Sequence, residues 1–243
     1  MRDYAGVFRD EAVATRYDEV VYAPGTWASE VHRRQRAYLR RWLCRAYPRI
    51  APVHHDFACG TGRVLEMFAD LVAARHGYDT SATMLARARS RGLDADLHLV
   101  PEGEDARPAA AGPPALVTVF RFLLNAPPAA REAAIAFAAR VLPDRDAGYL
   151  VVENHGPKRS LRGLGRHRHR DDPWFAELSH EEVTDLLGRH GFTVVRRRGF
   201  GMAPPGAYRR DWARPYARAL DAASTALPHA TVATNVVHIA RRT

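Results

Sequence analysis

The sequence predicts an α/β protein built on a doubly wound, mostly parallel seven-stranded sheet with helices on both faces. Three observations carry this. From about Pro52 onward, short apolar strands alternate with helical stretches, the pattern of right-handed βαβ units. The first strand runs straight into a glycine-containing turn, Asp56-Phe-Ala-Cys-Gly60-Thr-Gly62, of the kind that faces a ligand crevice in such sheets. The length of 243 residues and the apolar content of 47% suit one domain with a modest insertion.

The elements follow in order. Val7, Phe8, Ala12, Val13 and Tyr17 are spaced for one helical face, and Pro24-Gly25 breaks the chain. Trp27 to Tyr47 reads as a second helix, with Val31, Tyr38, Leu39 and Trp42 apolar and arginines opposite. Strands are expected at Val53–Phe57, His76–Tyr78, Leu97–Val100, Leu116–Phe120, Tyr149–Val152, Phe192–Arg196 and Asn235–Ala240. Helices are expected at Val64–Ala73, Ser81–Ser90, Ala129–Val141 and Glu181–His190, the last stopped by Gly191. Residues 157–172 read as an Arg/His/Gly-rich loop, and residues 202–230 as a cap over the C-terminal edge of the sheet.

Composition bounds the function. The formal charge of +9 is carried almost wholly by arginine, Lys158 being the only lysine. Such a surplus can attract nucleic acid or an acidic partner, but no dense basic helix and no basic run interleaved with aromatics accompanies it. Nucleic acid is therefore not the expected partner. No apolar run spans a membrane and no secretory signal opens the chain. Two cysteines, Cys44 and Cys59, make no disulfide framework, so a reducing cytoplasm is the expected compartment.

The chemistry lies in two segments. Gly60 and Gly62 let the backbone turn sharply and approach a ligand, and the following helix N-terminus offers unpaired N–H groups. Nineteen residues after Gly60 stands Asp79, in Gly77-Tyr78-Asp79-Thr80-Ser81. An acid ending the second strand can accept both hydroxyls of a ribose. A dinucleotide fingerprint would want a third glycine at position 65, where Leu65 stands, and a phosphate-binding Gly-Lys-Ser/Thr is absent. The ligand is expected to be a nucleoside joined to something other than a pyrophosphate.

Asp-x-x-Cys-Gly-Thr-Gly followed by Gly-Tyr-Asp-x-Ser-x-x-Met-Leu-x-x-Ala resembles the first two motifs of class I S-adenosylmethionine-dependent methyltransferases of the small-molecule type. The resemblance runs from about Tyr17 to the C-terminus. Phe8, Ala14, Tyr17 and Asp18 are similar to the family's lid helix, Val117–Asn125 to its fourth-strand segment, and Ala233–Arg242 to its terminal antiparallel strand. It implies a single domain: a helical lid (1–47), a cofactor-binding half (48–156) and a substrate-side half (157–243).

The resemblance also implies roles. Asp56, Ala58, Gly60, Thr61 and Gly62 would hold the methionine and ribose side of S-adenosylmethionine, and Asp79 the ribose hydroxyls. Thr80 and Met84 would lie near the adenine. Among Glu102, Glu104 and Asp105, Glu104 is preferred as acceptor from the adenine amine. Phe120 and Arg121 would sit beside the sulfonium and Tyr17 would close over it. The chain departs from the family at Val-His-His-Asp in the first strand, at Arg75 and His76 in the second, and before the fifth strand. A central parallel strand is buried on both faces, so His54 and His55 need partners.

Methyl transfer depends chiefly on positioning, and needs a base only when the nucleophile carries a proton at neutral pH. His155, in Val152-Glu153-Asn154-His155-Gly156, is the candidate catalytic base, with Glu153 or Asn154 to orient it. The alternative is that it lines the pocket or caps the next loop. Tyr22, Asn125, Tyr208, Arg209 and Trp212 are the further candidates for the acceptor pocket, although the cap residues could equally pack the cap down. His54, His55, His76 and Cys59 show no metal-ligand spacing, so no metal is expected. The expected reaction is methylation of oxygen or nitrogen on a small molecule, in the manner of secondary metabolism. RNA methylation and a non-methylating S-adenosylmethionine-binding protein are the alternatives. Self-association as a homodimer is left open.

Overall fold

A computed structural model describes residues 17–101, 103–109, 112, 114–160, 177–224 and 232–243, with Tyr17 and Asp18 described by backbone alone. The expected helical face of Val7 to Val13, the lid residues Phe8 and Ala14, Glu102 and the basic stretch from Leu161 lie outside the described residues. So do the side chains of Tyr17 and Asp18.

A π-helical turn at Tyr17–Val21 leads into helix α1, Trp27–Ala46. Thr26 caps α1 by accepting from the Ser29 N–H. Strand β1 (Val53–Phe57), helix α2 (Arg63–Met67), β2 (Ala74–Asp79), α3 (Ala82–Ser90), β3 (Asp96–Leu99) and β4 (Ala115–Val119) follow. Then come α4 (Pro128–Val141), β5 (Gly148–His155), α5 (His180–Arg189), β6 (Phe192–Phe200), α6 (Pro205–Tyr208), α7 (Arg214–Ser224) and β7 (Asn235–Arg242). The seven strands form one sheet in the order β3-β2-β1-β4-β5-β7-β6. β7 runs antiparallel to β5 and β6; the other pairings are parallel.

Each face of the sheet has its own core. Leu150 and Val152 of β5 pack with Ile135 and Phe137 of α4 and Val183 and Leu187 of α5. Val151 of β5 and Val237 and Ile239 of β7 pack with Leu39 and Leu43 of α1 and Met67 of α2. The two sets alternate along β5, as the period of a strand requires.

Three elements differ most from the sequence expectation, by three residues or more at one end. α2 ends at Met67 rather than Ala73. Buried Phe68 closes it, and tight turns (Leu71 N–H to Phe68 O, 2.8 Å) return the chain so that the Ala73 N–H meets Pro52 O at 2.9 Å. β5 extends past Val152 to His155 because β7 pairs along its whole end, His155 opposite Asn235. β6 extends past Arg196 through Arg197 and Arg198 to Phe200, because β7 pairs along it as far as Asn235 opposite Phe200.

The histidines of β1 find partners. His54 Nε2 lies 2.8 Å from Thr118 Oγ1, and His55 Nδ1 lies 3.1 Å from the Tyr78 hydroxyl. His55 also stacks on His76, with ring centroids 5.1 Å apart. Burial depresses both imidazoles, His54 to about 3 and His55 to about 4, so both are neutral at physiological pH. A neutral imidazole with one hydrogen bond is tolerable in a parallel strand where a charged one is not.

Candidate functional site

The turn after β1 is held in shape from β2. Ala58, Gly60 and Gly62 all adopt left-handed backbone, with φ of 56°, 55° and 79°. The Cys59 N–H donates to Tyr78 O at 3.0 Å and the Gly62 N–H to Cys59 O at 3.0 Å. Asp79 completes the stitch: the Gly60 N–H donates to its Oδ2 at 2.8 Å and the Ser81 N–H to its Oδ1 at 2.9 Å. Gly77 lets the turn press on β2, for a Cβ there would come within 2.9 Å of Cys59 Sγ. A Cβ on Gly60 would meet nothing within 4 Å, so this face of the turn is open.

These residues suit a nucleoside. Each carboxylate oxygen can accept two hydrogen bonds, and the backbone N–H groups of Gly60, Ser81 and Thr80 hold Asp79. Acceptor capacity remains on this carboxylate beside the open face of the turn, which suits a ribose hydroxyl. Burial raises the pKa of Asp79, and the backbone N–H groups of Ser81, Gly60 and Thr80 oppose that rise.

Asp56 lies behind the turn, 1% exposed. The Thr118 hydroxyl donates to its Oδ1 at 2.5 Å. Thr118 therefore accepts from His54, which fixes the proton of that imidazole on Nε2. Burial pushes Asp56 up to about 7, with the nearby charge of Asp79 adding to the effect. Its Oδ2 is buried and has no hydrogen-bond partner among the described residues. An ammonium donor on the ligand would satisfy it.

The β4–β5 end is built from side chains. Arg121 follows β4 with φ of 57°, and its N–H donates to Glu153 Oε2 at 3.1 Å. Glu153 Oε1 accepts from Gln35 of α1 and from Asn235 of β7, both at 2.6 Å. His155 is buried two residues beyond Glu153, on the same face of β5. Asn154 faces the other side and donates to Leu178 O at 3.0 Å.

Not all the expected residues converge. Tyr22 is stacked under the Arg63 guanidinium, 3.1 Å from its ring centroid, and so reaches the start of α2. Thr80 is exposed at the end of β2, whereas Met84 is buried beneath it. Glu104 is exposed in the turn after β3, and Asn125 is half-buried after β4. Phe120 is buried at the end of β4. Tyr208 is buried and donates its hydroxyl to Asp221 Oδ2 at 2.6 Å. Asp221 also accepts the Met202 and Ala203 N–H groups and faces Arg34 at 3.3 Å. Arg209 is exposed, and Trp212 stands 70% exposed.

The sequence reading did not find the Gln35–Glu153–Asn235 cluster or the Arg34–Asp221 pair. One signal was present. Gln35 falls on the apolar stripe of α1 between Val31 and Leu39, all three buried; a polar residue in such a stripe needs a buried partner.

The strand order, with β7 antiparallel, is that of the class I methyltransferase fold. Residues 55–145 match the family model described as a methyltransferase domain. The chain is 36% identical over 155 residues to dTDP-3-amino-3,6-dideoxy-alpha-D-glucopyranose N,N-dimethyltransferase of Streptomyces fradiae. That match covers 62% of this chain and 54% of the relative, so the chain spans about half the relative's length. Among solved structures, magnesium protoporphyrin IX methyltransferase (ChlM) of Synechocystis PCC 6803 with bound SAH superposes with a TM-score of 0.65 at 15% identity, covering 99% of this chain and 100% of that one. A possible histamine N-methyltransferase of Thermotoga maritima gives 0.61 at 17% identity, covering 99% and 100%. At these identities the structures share the fold. Among the described residues, no group of histidine, cysteine and acidic side chains is arranged for a metal, and no helix is long and apolar enough to cross a membrane.

Proposed function

We propose that the chain transfers a methyl group from S-adenosylmethionine to nitrogen or oxygen of a small-molecule acceptor. The observation that carries this is the turn at Cys59–Gly62, closed on Asp79 through the Gly60 N–H and open on its outer side. The named activity of the Streptomyces relative supports nitrogen of an amino sugar as the acceptor atom.

When bound, S-adenosylmethionine supplies a methyl group activated by the sulfonium. The chain holds and positions the reactants. Asp79 accepts the ribose hydroxyls and Asp56 Oδ2 the ammonium, while Ala58, Thr61 and Gly62 shape the turn around them. Thr80, Met84 and Glu104 bound the adenine side. Phe120 and Arg121 wall the reacting centre, and Tyr22 is an acceptor-side contact from the N-terminal side. His155, at the end of β5, removes a proton from an acceptor that carries one. Asn125, Arg209 and Trp212 are acceptor-side contacts. Tyr208 acts through the cap, because its hydroxyl is committed to Asp221. The same reading places the protein in a reducing cytoplasm, where Cys44 and Cys59 stay free; light scattering checks for a homodimer.

Calorimetry with S-adenosylmethionine and its demethylated product tests the proposal. The wild type is expected to bind both. Asp79→Ala should weaken binding by about two orders of magnitude, as expected from losing two charge-assisted hydrogen bonds. A folded wild-type protein that ignores both compounds, or an Asp79→Ala variant that binds them equally well, sinks the reading.

A further inference from the structure

The buried stripe of α4 runs Arg131, Ala134, Ile135, Ala138. Three positions pack into the core, and the fourth, one turn nearer the N-terminus, is an arginine. Helical side chains lean toward the N-terminus. Because β4 feeds α4, that direction is the C-terminal edge of the sheet, where the candidate site lies. The connecting loop reaches the end of β5, Leu124 Cδ2 lying 3.5 Å from where a Cβ on Gly156 would stand.

Arg131 is only 7% exposed, yet among the described residues neither its Nε nor its Nη2 has a hydrogen-bond partner. Glu182, in the first turn of α5, attracts it. Glu182 is bonded elsewhere, accepting from Lys158 Nζ at 2.5 Å and from the Ser179 N–H at 2.6 Å, and makes no hydrogen bond to Arg131 among the described residues. A buried cation without a bonded counter-ion is costly. The first turn of α4 has no side-chain cap, with Pro127 at the N-cap position and Pro128 following, so its N–H groups and positive dipole end add to the same field. Asn154, held to Leu178 O just before α5, fixes the neighbouring wall at the end of β5.

We infer that the corner between the first turns of α4 and α5 and the end of β5 binds an oxyanion of the acceptor, a phosphate or a carboxylate, with Arg131 as its cation. The guanidinium fork suits either group. This deepens the methyltransferase reading and rests on it for the molecule that carries the anion.

The test uses the full chain at constant ionic strength, with inorganic phosphate, pyrophosphate and acetate as probes, followed by thermal melting and calorimetry. At least one anion should bind the wild type and raise its Tm, and the probe that binds separates phosphate from carboxylate. Arg131→Gln should weaken that binding at least tenfold, and Arg131→Lys should fall between, because a point charge lacks the fork. Without anion, Arg131→Gln should melt no lower than the wild type, since it removes no bonded partner of the guanidinium. The inference is overturned if no probe binds a wild type that still binds the demethylated cofactor, or if Arg131→Gln binds the anion as the wild type does. A variant that melts much lower without anion makes the arginine structural and overturns it too. Failure of the wild type to bind the demethylated cofactor would count instead against the methyltransferase reading.

Discussion

The two ends of the crevice are built by different means. At the β1–β2 end the backbone makes the site: Gly60 and Ser81 N–H groups converge on one carboxylate from within a stretch of about twenty residues. At the β4–β5 end side chains make it, and they come from far apart. Gln35 and Glu153 are 118 residues apart and Asn235 and Glu153 are 82 apart, yet all meet on one carboxylate. Each end also holds one non-glycine residue in left-handed backbone, Ala58 pinned by the N–H bond of its neighbour Cys59 and Arg121 by its own N–H bond to Glu153. A scaffold that binds one common cofactor can fix that end by local geometry. An end that meets a particular acceptor depends on long-range packing, and packing varies with every element that contributes to it.

The largest effect expected from breaking this contrast comes from Glu153→Gln. The carboxylate accepts three donors, two on Oε1 and one on Oε2. An amide keeps one acceptor oxygen, so its NH2 must face a donor in either orientation. A buried donor facing a donor costs about 3 kcal/mol, which urea denaturation should show. Affinity for S-adenosylmethionine should change by no more than about threefold if the two ends are energetically separate. A fall in affinity that matches the fall in stability would show that they are one unit.

A pH titration probes the cofactor end more gently. His55 is fully buried and depressed to about 4, against an ordinary value of 6.5, chiefly by burial. Below pH 6.5 the unfolded chain takes up this proton and the folded chain does not. The stability that His55 contributes is therefore present above about pH 6.5 and is lost as pH falls toward 4. Linkage gives a loss of about 2 kcal/mol between pH 7.5 and pH 5 from this one group. His55→Phe keeps the ring packing and removes the titration, so its stability should fall less over that range by about the same amount. Equal slopes for variant and wild type would mean that His55 is charged or solvated in the folded state.

The same contrast explains how far the sequence could be read. Gly60, Gly62 and Asp79 announce themselves because backbone chemistry demands glycines and an acid at close spacing. The seven strands were legible from alternation, with errors where a neighbour extended them, as at 197–200 of β6. α2 was misjudged because apolar periodicity continues past Met67, while the need to begin β2 at Ala74 ends the helix early. The cap was the least legible part. Tyr208 and Trp212 lie four residues apart in sequence, yet one is buried on Asp221 and the other is exposed. Neither outcome follows from residue type, since an aromatic side chain fits both settings. Arg131 was hidden for a related reason: an arginine in a helix reads as a solvated residue until the packing shows that it faces inward.

The smallest expected effect concerns Ala58. Its φ of 56° places an L-residue where glycine is favoured, a strain of about 1–2 kcal/mol. The Cys59 N–H bond to Tyr78 O and the Gly60 N–H bond to Asp79 on either side of the turn over-determine that conformation. Ala58→Gly relieves the strain but gives the unfolded chain more freedom, which recovers part of the gain for the unfolded state. The net should be a stabilisation of about 0.5–1 kcal/mol, a rise in Tm of about 2 °C for a chain of this size. Cofactor affinity should hold, because the two bonds keep the turn in place without help from the Cβ. A variant that melts lower than the wild type would show instead that the Ala58 methyl packs against the turn. The β1–β2 end would then rely on side-chain packing as the other end does.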